Sequence, residues 1–309
     1  MATLIQQLIN GLVLGSMYAL VALGYTMVYG VLNLINFAHG DVLMIGAMAS
    51  LTILKMLNAV APDLPGYVRL GIAIAGAIPV CILVNVIIER IAYRRLRNAP
   101  RLAPLITAIG VSILLQTFAM MIWGRNPLPF PQLLATKPIE IGGALISQTQ
   151  LLLLVLAALA MVGLVLLVEK TRMGRAMRAT AENPRVAGLM GVDANQVIVF
   201  TFVIGAALAA IAGVMWGATY ASIKFAMGFT PGLKAFSAAV LGGIGNIYGA
   251  MLGGILLGLI ESLGAGYIGD LTGGFIGSNY IDIFAFVVLI IVLTIRPSGI
   301  MGERVADRA

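Results

Sequence analysis

Forty residues pass before this chain offers its first charged side chain, Asp41. Within them, Leu4 to Leu32 is uncharged and largely apolar, longer than the ~20 residues an α-helix needs to cross a bilayer. Lipid offers backbone groups no partners, so a continuous run of this kind must satisfy its own hydrogen bonds as a helix. A transmembrane barrel strand would instead alternate apolar and polar residues over about ten positions. Comparable runs recur at Val42–Leu57, Val68–Ile88, Leu102–Trp123, Leu151–Val168, Val197–Tyr220 and Ile281–Ile295. The chain is 61% hydrophobic and 10% charged, where a soluble domain would carry about 25% charged residues. The expected class is an all-α, polytopic helical membrane protein forming a single transmembrane domain over residues 1–309.

The positive charge is arranged by position. Net charge is +7, and thirteen of the nineteen Lys and Arg fall in three clusters, Arg90–Arg101, Lys170–Arg185 and Arg296–Arg308. Basic residues beside membrane spans mark the cytoplasmic side and attract anionic lipid, which accounts for the charge without nucleic acid. The N-terminus lacks a basic n-region, so the first span is expected to stay in the mature protein. Cys81, the one cysteine, lies in an apolar run and reads as a buried small hydrophobe.

Charge also decides how the C-terminal third is divided. If Ala235 to Leu263 were one span, Arg296, Arg304 and Arg308 would fall outside, so the positive-inside rule calls for an extra crossing. Its natural place is Gly242–Gly245 with Asn246, giving a short segment Ala235–Leu241 and a full helix Ile247–Leu263. The expected count is about eight crossings, one of them short or broken, with the N-terminus and Ala265–Asn279 external and the C-terminus cytoplasmic. Small residues at fourfold spacing, Gly11 and Gly15, then Gly205, Ala209, Gly213 and Gly217, then Gly245, Gly249 and Gly253, predict close helix packing. Gly124–Gln150, rich in proline, is expected outside with a short hairpin or helix.

Two polar stretches interrupt this apolar chain. Tyr25, Thr26, Tyr29, Asn33 and Asn36 sit where lipid would penalise them, so they are expected to face protein or a water-filled path. His39 and Asp41 follow; they could relay protons, or Asp41 could cap the helix from Val42 onward. Few further buried acids accompany them, which favours the cap. Glu261 and Asp282 are expected at the external interface, where they could meet a soluble partner. The second polar stretch, Glu169–Asp193, predicts two short helices, Arg175–Glu182 and Arg185–Met190, punctuated by Gly174 and Asn183–Pro184 and stopped by Gly191. No catalytic constellation, metal-ligand set or phosphate-binding G-x-x-x-x-G-K-[ST] motif is present.

GRAMRATAENPRVAGLMGV in that loop resembles the ATPase-coupling loop of bacterial ABC importer permeases of the branched-chain amino acid family. GSMYALVALGYTMVYG with NLINFAHGD, TFVIGAALAAIAGV and KAFSAAVLGGIGNIYGAMLGG resemble the same family, so the similarity covers nearly the whole chain. It implies a permease subunit in the bacterial inner membrane with a coupling loop over 169–193. It also implies a second homologous permease as heterodimeric partner, two cytoplasmic ATPase subunits and a periplasmic solute-binding protein. ATP and Mg would bind those partners, with no cofactor on this chain. The residues matching the coupling pattern are Gly174, Arg175, Ala176, Ala181, Glu182, Asn183, Ala187 and Gly191, although the spacing departs from the EAA-x-x-x-G of other importers. A permease for urea or short amides, a proton-coupled carrier and a passive facilitator stay open as alternatives.

Overall fold

The computed structural model describes residues 2–97, 99–100, 102–134, 138–271, 273 and 281–302. Among them, α1 (Ala2–Leu32) runs to the basic face, and α2 (His39–Val60) returns from inside the bundle. α3 (Gly66–Ile88) continues through a π-helical turn (Glu89–Tyr93) into the short α4 (Arg94–Leu96), and α5 (Leu102–Trp123) crosses back. β1 (Leu128–Pro129) precedes a hairpin of β2 (Ile139–Ile141) and β3 (Ala144–Ile146). Gly142 and Gly143 make its turn at φ +59° and +82°, the two positive angles that match the twist of a two-residue hairpin.

α6 (Gln148–Lys170) starts from a capping box in which Ser147 and Gln150 satisfy each other's backbone N–H. On the basic face α7 (Arg172–Glu182) and α8 (Pro184–Leu189) project as a helical pair, capped by Thr171 and Asn183. Asp193 caps α9 (Ala194–Tyr220), which leads to β4 (Ser222–Ile223) beside β1. α10 (Phe229–Gly242), α11 (Ile247–Leu271) and α12 (Ile281–Ile295) complete the described chain.

Seven of these helices are long and apolar enough to span a membrane, and α12 is a shorter apolar one, which agrees with about eight crossings, with the short α10 in addition to them. α10 is the short element. Its 14 residues rise only ~21 Å, so it reaches the basic face from the middle of the bundle. The division at Gly242–Asn246 falls where the charge argument placed it, but α10 begins at Phe229, six residues before the expected Ala235. The expected external stretch from Ala265 begins helical, since α11 runs on to Leu271. Its remainder through 274–279, like Arg101, Arg304 and Arg308, lies outside the described residues.

The centre is built from α1, α2, α9, α10 and α11, and glycines set how closely they approach. A Cβ on Gly11 or Gly15 would stand 2.8 Å from the Cα of Leu259 or Ile255, so α1 and α11 cross almost backbone to backbone. Gly213 of α9 lies against the backbone of Leu43 and Ala47 in α2, while Gly249 and Gly253 lie against α10. Gly245 does not continue that stripe: it sits in the turn at φ +97°. α3, α5 and α6 surround this centre with exposed Leu83, Ile106, Ile113, Phe118 and Leu159, the surface a lipid bilayer would cover. Cys81 is fully buried between α2 and α9, 3.4 Å from the carbonyl of Val42.

Candidate functional site

Three features of this bundle carry chemistry: a break at its centre, a cavity at the basic face and an ion cluster in the opposite half. The break lies where α2 and α10 begin. Their starts touch, since a Cβ on Gly40 would stand 2.8 Å from Gly232 Cα. Asn33 turns the chain out of α1 with φ 52°, a conformation Asn tolerates better than most side chains. Asn36 then fixes the connecting loop by accepting from Ala38 N at 3.1 Å and from the Tyr93 hydroxyl at 2.9 Å.

Asp41 does not cap α2. The helix starts at His39 with Ala38 in the cap position and no side-chain cap bond, because Asp41 already lies inside the first turn. Its carboxylate instead accepts from Gln116 of α5 at 3.0 Å. His39 points elsewhere, edge-on to Tyr25 with ring centroids 5.0 Å apart and against Gly24 and Gly205. The two side chains therefore diverge toward different helices, and neither cap nor relay is built.

A cavity of about 1100 Å³ opens at the basic face between α1, α6, α7 and the α10–α11 turn. Of the five polar residues expected on a path, Thr26, Tyr29 and Asn33 line it. Tyr25 and Asn36 do not: the Tyr25 ring packs on His39 and Phe236, and Asn36 is held by Ala38 N and Tyr93. The cavity wall also includes Met177, Arg178 and Ala181 of α7. Arg178 donates to the Val168 carbonyl and Tyr248 to Glu169, so α7, α6 and α11 are joined at the cavity rim.

The helical pair α7–α8 sorts the matching residues into two groups. Gly174 is buried in the first turn of α7, with its Cα side pressed on the Val168 carbonyl, so it belongs inside the helix and does not punctuate it. Asn183 caps α8 by accepting from Arg185 N and Val186 N at 3.0 and 3.2 Å. Ala187 is buried and Ala176 and Ala181 are partly covered. Gly191 leaves α8 at φ +84° in open space, the stop that the sequence predicts. Arg175 and Glu182 are exposed. The sequence reading missed the exposed apolar tip, Leu189 at 87% and Met190 at 81% exposure with Val186 beside them. In an isolated loop these residues carry the same apolar character as their buried neighbours, so only the structure separates them.

A polar strut links this pair to the central break. Buried Glu89, on the π-helical turn, receives Arg97 and Arg94, the latter at 3.5 Å. Arg97 also donates to Asn195 at 2.6 Å, in the first turn of α9 just after α8. Tyr93 of the same turn holds Asn36. π-helical turns recur at functional sites, and this one joins the α9 start to the loop above the cavity.

In the opposite half, Lys234 of α10 donates to Glu261 of α11 and Asp282 of α12, both at 2.6 Å. The Tyr18 hydroxyl donates to the other Glu261 oxygen at 3.0 Å. Glu261 is thus not an interfacial acid offered to a soluble partner; its side chain is 12% exposed and paired with a lysine at 6%. Asp282, at 54%, keeps an exposed edge. Lys234 was passed over in the sequence because a lone lysine in an apolar run gives no sign of its partners.

The family described as branched-chain amino acid transport system, permease component, matches residues 7–293. A high-affinity branched-chain amino acid transport system permease protein, BraD of Pseudomonas aeruginosa, is 46% identical over 97% of this chain and 96% of its own length. The corresponding Escherichia coli K12 protein, LivH, is 43% identical over the same shares. A probable branched-chain amino acid transport permease protein LivH of Methanocaldococcus jannaschii is 29% identical over 95% of this chain and 91% of its own.

Proposed function

This chain belongs to the branched-chain amino acid transport permease family, and from that premise we propose that it is the membrane-spanning subunit of an ATP-driven importer in the bacterial inner membrane. Its solutes are branched-chain or other apolar amino acids. A second homologous permease completes the path as a heterodimer, two cytoplasmic ATPase subunits bind ATP and Mg, and a periplasmic binding protein delivers the solute. This chain catalyses no reaction; it converts motion of the ATPases into access.

The observation that carries this reading is the α7–α8 pair: a capped helical projection with an exposed apolar tip on α8, whose α7 forms one wall of the basic-face cavity. Leu189 and Met190 supply apolar area for a protein cleft, while Arg175 and Glu182 supply charges for its rim. A push on the tip moves Met177, Arg178 and Ala181 at the cavity, and moves Asn195 and its arginine strut at the same time. Thr26, Tyr29 and Asn33 give the cavity uncharged polar groups, which suit brief passage better than tight binding.

The test is uptake of radiolabelled leucine by proteoliposomes holding the complete transporter and binding protein, with and without ATP. Leucine uptake that requires ATP is expected. Replacing Leu189 and Met190 together by Asp should cut it roughly thirtyfold, the loss of an interface anchor worth about 2 kcal/mol. Uptake by this chain alone, indifferent to ATP, would overturn the reading.

A further inference from the structure

A second cavity, about 300 Å³, lies in the half of the bundle opposite the coupling helices, between α1, α6, α9 and α11. Its connectivity places it at the face from which solute enters: Gln150 opens α6, Tyr220 ends α9, and both line it. The volume is at the lower end for small-molecule sites. Its lining is chemically divided.

The lining includes three side-chain amides whose oxygens are already engaged. The Gln7 oxygen accepts from Ser262 at 2.8 Å, the Asn10 oxygen from Gln6 at 3.2 Å and the Gln150 oxygen from Ser147 N at 3.0 Å. Each amide is thereby oriented with its NH2 group left over, and among the described residues none of those three nitrogens has a hydrogen-bond partner within the protein. Amide N–H groups left over in one cavity can receive a carboxylate. Beside them stands Glu261, next in the chain to Ser262 and the one charged lining residue.

Glu261 keeps capacity for a ligand. Its oxygens each accept one bond, from Lys234 and from Tyr18, whereas an ionised carboxylate offers about four lone-pair positions. Lys234 is shared with Asp282, so two carboxylates face one ammonium and the cluster is one positive charge short among the described residues. A solute ammonium would supply it. The rest of the α1 wall is apolar, with Val13, Leu14 and Met17.

On the amino-acid import reading above, we propose that this cavity is an entry site for a zwitterionic apolar amino acid. Glu261 receives the α-ammonium, the amides of Gln7, Asn10 and Gln150 receive the α-carboxylate, and Val13, Leu14 and Met17 receive the side chain. The site explains why two carboxylates share one lysine beside amide donors in the half of the membrane that meets the solute first. It selects the amino-acid head group and leaves the side chain loosely specified.

The test is equilibrium binding of radiolabelled L-leucine to the complete transporter in nanodiscs, without the binding protein. Wild type is expected to bind, and Glu261→Gln and Asn10→Asp each to weaken binding at least about tenfold, the loss of one charge-assisted bond or its replacement by repulsion. Asn10→Asp leaves the ion cluster intact, so it decides the matter if Glu261→Gln impairs folding. Competition adds an independent readout. Isoamylamine, which keeps the ammonium, and 4-methylpentanoate, which keeps the carboxylate, should each displace leucine at least about tenfold less well than leucine itself. Wild-type binding by both variants, or no binding by the wild-type complex, would overturn the site. Either result alongside intact ATP-dependent leucine uptake would leave the import reading standing, whereas a wild-type complex that takes up no leucine would remove that reading itself.

Discussion

α1 and α5 look alike on paper and differ in the fold. Their most apolar windows have mean hydropathies of 1.7 and 2.1, yet 89% of the α1 window is buried in protein and 17% of the α5 window is. Hydropathy measures whether a helix will leave water, and lipid and protein interior satisfy it equally. What separates the two helices is what small residues allow. Gly11 and Gly15 bring the α1 backbone against Leu259 and Ile255, while Gly110 of α5 has nothing within 4 Å of where a Cβ would stand. Between apolar helices in lipid no hydrophobic force favours contact, so close van der Waals approach and paired polar groups decide the neighbours.

The same contrast orders the effects of substitution. Lys234→Met should be the most damaging, because Glu261 then stays buried without its cation, at about 3–5 kcal/mol; thermal unfolding of the purified protein in detergent would measure it. Adding Glu261→Gln to that variant should restore part of the loss, since the unpaired charge goes too. Gly213→Val comes next, at about 3 kcal/mol, because its side chain would enter the backbone of Leu43 and Ala47. Tyr93→Phe should cost about 1 kcal/mol by removing one donor from Asn36. It should also lower leucine uptake per ATP hydrolysed if the strut carries motion to the break, which a paired uptake and ATPase assay reads. Gly110→Ala, out on α5, should stay within about 0.5 kcal/mol of wild type. A large loss there, or none at Gly213, would break the division into centre and periphery.

Much of the candidate site was legible in outline and little of it in detail. The polar run from Tyr25 marks the end of the first helix as a place away from lipid, because amides and hydroxyls cannot face it; α1 stays unbroken to Leu32, and Thr26, Tyr29 and Asn33 do line the basic-face cavity. Tyr25 and Asn36 carry the same signal yet pack inward, since polarity says that a group needs a partner and not whether the partner is water or protein. Asp41 misled for a related reason: an acid beside a helix start reads as a cap, and only the position of Gln116, 75 residues on, shows where its oxygens go. The caps of α8 and α9, by contrast, are local. Asn183 and Asp193 reach N–H groups two and three residues ahead, so the signal is local, although the sequence reading treats Asn183 only as punctuation and does not name Asp193 as a cap.

By itself the sequence determined the class, the spans, the basic face and the helical projection with its stop at Gly191. These follow from runs of apolar residues, from charge beside them and from turn chemistry, all of which act over a few residues to a few tens. The tertiary structure alone decided which helices form the centre, that Lys234 answers Glu261 and Asp282, that Leu189 and Met190 stand exposed, and that three amides turn their N–H groups free beside one carboxylate. Each of those depends on residues far apart in the chain meeting at hydrogen-bond or van der Waals range. That proximity is set by how close two backbones can come, and local composition carries no measure of it.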